Sequence, residues 1–403
     1  MPSVEQFSGS PNIIASHYRH AQVELKLMLT GHVHQAIPDI AKAGYAEHWE
    51  CMSKYGHERF DTVFDKAQIV REGFAELIHA DAQNIALGSS VHDLFMRFLS
   101  CLDVDSRRKV ITTSGEHPSI LRQLVRYKEV GYELVALDPN PASTLVERII
   151  EQLDDNTAAV CISSVNYING HQVLELDTLV PKCEKYNIEL FVDAYQSVNV
   201  LSFSIADYNL ENAFVAGGGA KYCQMGDGNC FMHVPPNREF RPRITGWYGV
   251  FDPVLDSPAS EPLAYADIPA QRLDGSSCDS LPHFRAAKVF EFFKQQQLTA
   301  ELLHDINHHQ LDVMANAFRA LDLNPALIAL STDVEYMGGF ISLKTPLAQK
   351  LQERMRDIGV ICDYCNGYLR LGPAPYLCDE QLRDCIEALH EALKHLAAAK
   401  SSA

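Results

Sequence analysis

No apolar run in this sequence approaches the ~20 residues that a membrane-spanning helix needs, so no membrane span is expected. Positive charge is also scarce. There are 34 lysines and arginines against 52 aspartates and glutamates, a formal net charge of -18. Such a surface repels phosphate backbones and anionic lipid, which argues against nucleic-acid and membrane partners; its plain consequence is solubility. The first residues, MPSVEQFSGS, lack the basic-then-apolar order of a secretory signal, and a cytoplasmic protein is expected. The 11 cysteines are odd in number and scattered, a pattern of reduced thiols rather than of a disulfide framework. Cys362 and Cys365 form a C-D-Y-C pair, but no second pair and no histidines at ligand spacing follow, so no metal is expected. Internal repeats and low-complexity tracts are absent as well.

What remains is a chain of 403 residues, 47% apolar, long enough for two domains. KVITTSG, ELVALD, AAVCISS, ELFVDA, AFVAGG and NCFMHV each read as a buried strand. Amphipathic stretches such as HPSILRQLVRYKEVG and LDTLVPKCEKYN lie between them. That alternation predicts an α/β fold with a mostly parallel sheet covered by helices on both faces. From about Leu281 long helices dominate, with strands at GGFISLKT and LRLGPA, which predicts a smaller C-terminal α+β domain. The expected division is an N-terminal segment, 1–50, packing with the small domain; a large domain, 51–280; and the small domain, 281–403. The stretch Phe251 to Gly275 is expected to connect them and to rim the active site.

Ligands of parallel sheets sit at the carboxyl ends of the strands, so the residues there carry the functional reading. Asp193 ends FVDAYQ, where its carboxylate suits the pyridine nitrogen of pyridoxal 5'-phosphate (PLP), with Gln196 beside the ring's phenolic oxygen. A helix cap is the structural alternative for Asp193. Lys221 follows three glycines in AFVAGGGAKYCQ; a lysine desolvated there has a lowered pKa and can act as nucleophile and base. Ser89 and Ser90 precede a helix beginning near Val91, a phosphate site or a plain N-cap. His117 follows KVITT, placed to stack on the pyridine or to serve structurally.

The order Ser-Ser, His, Asp-x-x-Gln, Lys resembles that of the class V aminotransferase family of fold-type I PLP enzymes. Within it, SSVHDLF (Ser89 to Phe95), VNYING (Val165 to Gly170), GWYG (Gly246 to Gly249) and GVICDYCNGYLRLGPAP (Gly359 to Pro375) resemble segments of the kynureninase branch. The resemblance implies a homodimer with shared active sites and a small-molecule amino-acid substrate. It implies that Lys221 forms the Schiff base, that Trp247 lies at the phosphate or substrate region, and that Ser276 and Ser277 fall where the partner subunit reaches the site. Arg370 matches the arginine that grips the substrate α-carboxylate; a structural salt bridge with Asp363 or another acid is its alternative. Asn166, in VNYING, and His32, His34 and Gln35, in TGHVHQAIP, are further candidates for the substrate pocket.

The chain departs from the kynureninase pattern around the substrate side chain. Ala220 stands for a tyrosine, Cys365 for an arginine and Val250 for a histidine, and the segment before Arg370 is one residue shorter. The expected function is a PLP enzyme acting on an α-amino acid, a kynureninase-like lyase or hydrolase cleaving at or beyond Cβ. An aminotransferase, a cysteine desulfurase-like C–S lyase and a non-catalytic protein of the same fold are the alternatives.

Overall fold

The computed structural model describes residues 2–103, 105–250 and 262–401. Residues 251–261 of the expected Phe251 to Gly275 connection lie outside the described residues.

Seven strands build the main sheet: β1 (Ile85–Gly88), β2 (Lys109–Thr113), β3 (Glu133–Leu137), β4 (Thr157–Ser163), β5 (Glu189–Asp193), β6 (Phe214–Gly218) and β7 (Cys230–His233). Their order is β1-β7-β6-β5-β4-β2-β3. Pairing is parallel from β3 through β6, and β7 runs antiparallel to both β6 and β1. Strands buried on both faces need apolar side chains at every position, and β4, TAAVCIS, is buried throughout. Along it Val160 and Ile162 enter the larger core, while Ala159 and Cys161 enter a second core on the other face. The expectation for ELVALD is corrected: β3 is the sheet edge, and its residues are exposed or half-buried. The sequence reading missed β1, whose four residues are too short to show a period.

Helices α1 (Ala41–Lys54) and α2 (Arg59–Leu77) precede the sheet; α3 (Val91–Cys101), α4 (Pro118–Glu129) and α5 (Leu176–Lys185) are crossovers. In α3 the residues Val91, Leu94, Phe95, Phe98 and Leu99 make one buried face. Ser90 caps it, its hydroxyl accepting the Asp93 N–H at 3.1 Å.

Helix α6 (Leu281–Gln295) leads to α7 (Ala300–Ala320), α8 (Ala348–Asp357) and α9 (Asp379–Ser401). They pack around a four-stranded antiparallel sheet of β8 (Ala329–Leu330), β9 (Ile341–Lys344), β10 (Asp363–Cys365) and β11 (Tyr368–Leu371), in the order β10-β11-β9-β8. A two-residue turn joins β10 to β11. Asn366 and Gly367 both have positive φ, 44° and 83°, the conformation that tight hairpins require and that Asn-Gly adopts at low cost. The turn fixes the register, which sets Asp363 opposite Arg370. The N-terminal segment joins this unit: Leu27 and Met28 pair in parallel with Val360 and Ile361.

Candidate active site

The carboxyl ends of β4, β5 and β6 open into a cavity of about 300 Å3, closed by the N-terminal segment and the β10–β11 hairpin. Nine sequence-predicted residues line it: Ser89, Ser90, His117, Asp193, Gln196, Lys221 and Arg370, with His32 and His34 from the N-terminal segment.

Lys221 stands just beyond β6. Its ammonium lies 4.9 Å from the centroid of the Tyr195 ring, with no hydrogen bond or ion pair among the described residues. The preceding glycines make room for that ring: a Cβ on Gly218 would come within 2.8 Å of Tyr195. Burial lowers the Lys221 pKa to about 8, against the pull of Asp193 to raise it. Asp193 ends β5. One carboxylate oxygen accepts the Tyr195 N–H at 2.9 Å, and burial pushes its pKa up, opposed by that bond and by Lys221. The second oxygen has no protein partner among the described residues, so the carboxylate is short of a cationic or donor group on the cavity side. A protonated pyridine nitrogen fits that need. The amide of Gln196 is held by the Tyr222 hydroxyl, which donates to Oε1 at 3.0 Å, and by the His32 carbonyl, which accepts from Nε2 at 3.3 Å.

Ser89, Ser90 and the start of α3 form one end of the cavity, where the helix N–H groups and hydroxyls suit an anion. Ser89 donates weakly to Asp93 at 3.4 Å, and Arg97 pairs with the same carboxylate at 2.7 Å, offsetting an acid that would oppose a phosphate there. His92, which the sequence reading missed, lines the same end. His117 is both cap and wall: its Nδ1 accepts the Ser119 N–H at 3.2 Å, and the ring meets Tyr167 edge-on. Burial, with Lys221 and Arg370 nearby, lowers its pKa to about 4, so the ring is neutral at pH 7.

Opposite Lys221, Arg370 reaches in from β11 and is almost fully buried. Its Nε donates to Asp363 at 2.9 Å, Nη2 donates to the second Asp363 oxygen, and Nη1 donates to the Tyr167 carbonyl at 2.6 Å. Asp363 also bonds His32 Nε2 at 2.9 Å. Burial opposes charge on Asp363, but His32 and Arg370 outweigh it and hold the carboxyl well below the usual range. The arginine therefore faces the cavity with its charge already paired, as the structural alternative had it. Three of its five N–H groups are used, and two have no partner among the described residues.

Five candidates are not brought to this cavity. Gln35 is buried behind it, its Oε1 accepting from Gln224 at 3.0 Å. Asn166 holds a turn, its Oδ1 accepting the N–H groups of Ile168 and Asn169 at 2.9 and 3.2 Å. Trp247 packs edge-on against Phe60, away from Lys221. Ser276 and Ser277 are exposed. Tyr195 and Ser163, which the sequence reading did not assign, line the cavity. Tyr195 sits inside the FVDAYQ motif, and Ser163 ends a buried strand, so strand-end position was the available signal. Among the described residues no group of histidines, cysteines and acids could hold a metal ion, and no helix is long and apolar enough to cross a membrane.

The family model described as aminotransferase class-V matches residues 31–223. An uncharacterized aminotransferase, YcbU, of Bacillus subtilis is 21% identical, covering 83% of this chain and 86% of its own. The cysteine desulfurase IscS of Shewanella pealeana is 26% identical, but the match covers only 41% of this chain and 40% of that protein. Among solved structures, the cystine C–S lyase C-DES in complex with its reaction product cysteine persulfide superposes with a TM-score of 0.78 at 16% identity, over 92% of this chain and 98% of that one. The apo cysteine desulfurase of Thermococcus onnurineus gives 0.74 at 16% identity, over 92% and 95%.

Proposed function

We propose that this chain, which belongs to the class V aminotransferase family of fold-type I PLP-dependent enzymes, acts on an α-amino acid and cleaves a bond at or beyond its Cβ. The observation that carries the reading is the convergence of Lys221, Asp193 and Arg370 in one cavity whose other end is the start of a helix. PLP, when bound, supplies an electron sink for negative charge developing at the substrate Cα.

The chain's own residues do the rest. Lys221 Nζ, with its lowered pKa, would hold the cofactor through its aldehyde carbon and, when freed by the substrate amine, would serve as a base at Cα. Asp193 keeps the pyridine nitrogen protonated. Ser89, Ser90 and the free N–H groups of α3 take the phosphate. The neutral His117 ring adds a flat wall without adding charge. Arg370 would offer its two unused N–H groups to the α-carboxylate and so orient the substrate at Cα.

The cysteines bear on which bond breaks. Cys230 alone among the cysteines of the described residues lines the cavity, and burial pushes its thiol up to about 12, too high for a thiolate nucleophile at neutral pH. Cys362 and Cys365 do not line it. This supports elimination, in which the side chain leaves as product, over sulfur transfer onto a protein cysteine. A homodimer is part of the proposal: Ser276 and Ser277 are exposed and outside their own cavity, as residues serving a partner's site would be.

The test is product analysis of the PLP-loaded protein with cysteine, cystine, kynurenine and simple amino acids. Release of the side chain with pyruvate and ammonia, or with alanine, in the absence of a 2-oxo acid acceptor is the expected result. Turnover that strictly requires an added 2-oxo acid would replace this reading with an aminotransferase.

A further inference from the structure

One ionisable group beside the cavity has no part in the steps above. Glu116, the residue before His117, is 4% exposed and has no cationic partner among the described residues. Its carboxyl sits between two hydroxyls. Thr113 lies 2.6 Å from Oε1, and Ser163 is hydrogen-bonded to Oε2. The bonding directions can be assigned. The Gly115 N–H donates to Thr113 Oγ1 at 3.2 Å, and Glu116 Oε1 is the one acceptor for the Thr113 proton among the described residues, so the arrangement that satisfies both groups has Thr113 donating to Oε1. Any proton on Glu116 therefore resides on Oε2 and faces Ser163.

Ser163 is the last residue of β4 and lines the cavity. In the parallel ladder it is paired in register with Asp193, so the two side chains stand next to each other on one face of the sheet. If Glu116 is ionised, Ser163 must donate to it and presents only lone pairs to the cavity. If Glu116 is protonated, Ser163 accepts, and its own proton turns into the cavity.

We propose that Glu116 is a positioning residue whose protonation state sets the direction of the Ser163 hydroxyl, which is a hydrogen-bond donor at the Asp193 end of the cavity while Glu116 holds its proton. The titratable groups facing Glu116 agree with this. Asp193, at the end of β5, disfavours a second negative charge beside it. Cys161, on β4, is kept a neutral thiol by burial. His117, its chain neighbour, is turned to the cavity and uncharged at pH 7. Burial raises the Glu116 pKa to about 7, Asp193 adds to the rise, and the two hydroxyls and the Ser163 backbone N–H only partly offset it. The proposal rests on the PLP reading only for what the Ser163 donor meets: the ring edge beside Asp193.

Two measurements test it, and the first needs no cofactor. In cofactor-free protein carrying 13C-labelled glutamate, the pH-difference infrared spectrum should show a protonated glutamate carboxyl that ionises near neutral pH. The ordinary range is about 4 to 5. This band should be missing in Glu116→Gln, an isosteric change in which the amide N–H takes the place of the carboxyl proton towards Ser163. A glutamate spectrum that ionises wholly in the ordinary range, or a neutral-pH band that survives Glu116→Gln, overturns the proposal. The second measurement is the visible absorbance of PLP-loaded protein against pH. Wild type should show a step near neutral pH. Glu116→Gln should stay in the low-pH form throughout, Ser163→Ala should lose the step, and Ser163→Thr should keep it. A step unchanged in Ser163→Ala would show that Glu116 does not act through that hydroxyl, and would overturn the proposal. An infrared band that behaves as expected in protein that binds no PLP would leave Glu116 as assigned and remove the cofactor reading instead.

Discussion

At the scale of the residue, the account turns on ionisable groups displaced from their usual pKa values by burial. With Lys221 near 8, about a tenth of the amine is neutral at pH 7, against roughly 1 in 2,500 for a solvated lysine. Capture of PLP by cofactor-free protein should therefore speed up about tenfold from pH 7 to pH 9 and level off; stopped-flow absorbance would show it. Asp193→Asn keeps the shape and removes the charge, so the protein should fold and bind PLP yet turn over orders of magnitude more slowly, a loss of several kcal/mol in the barrier. Glu116 makes stability fall as pH rises. Its folded pKa is raised, so the folded state holds the proton longer than the unfolded state. Its contribution is fully present below the ordinary value of 4.5 and is lost as pH rises to about 7. The loss is on the order of 3 kcal/mol. Urea denaturation should show Glu116→Gln losing less stability than wild type between pH 4.5 and pH 7. Lys221 and Asp193 were legible in the sequence because each ends an apolar run, which in a parallel sheet fixes it at the ligand edge. Gln35 and Asn166 were not, because a short polar side chain in a loop reads the same whether it meets a ligand or, as here, Gln224 and a turn backbone.

At the scale of the element, the β10–β11 hairpin decides how the Arg370 end of the cavity is charged. Its Asn-Gly turn sets the register that makes Asp363 and Arg370 a pair. A buried pair deprived of one partner leaves a charge uncompensated. Asp363→Asn should accordingly destabilise the protein by about 3 kcal/mol, near the low end for buried pairs because Asp363 is partly exposed. Chemical denaturation would measure it. Arg370→Lys cannot keep both bonds to Asp363 and should raise KM for the amino acid severalfold or more, while the absorbance of the Lys221-bound cofactor stays unchanged. The strands at FVDA and FVAGG were readable because burial on both faces removes polar residues from the run. β3 reads as apolar too, but it is an edge, and no sequence pattern separated it from its buried neighbours. The partnership of Asp363 with both His32 and Arg370 depends on segments more than 300 residues apart in the chain meeting at one point, which local pattern does not encode.

At the scale of the whole molecule, the single chain supplies a cavity that brings Lys221, Asp193 and Arg370 together, while Ser276 and Ser277 remain on the outside. The proposed homodimer should appear in sedimentation as a species of twice the 45.0 kDa chain mass, with PLP bound more tightly than at dilutions where the chains separate. The overall architecture was legible because strand–helix alternation and a late switch to long helices are global patterns. Assembly was not, since an exposed serine carries no mark of what covers it. The central claim is that Lys221 holds the cofactor. The most direct test is to add PLP to the purified protein, reduce it with borohydride and map the pyridoxyl group by peptide mass spectrometry. The account predicts a near-visible absorbance that borohydride bleaches, with the label on Lys221 and none in Lys221→Ala. A label on another lysine, or full turnover by Lys221→Ala, would contradict it.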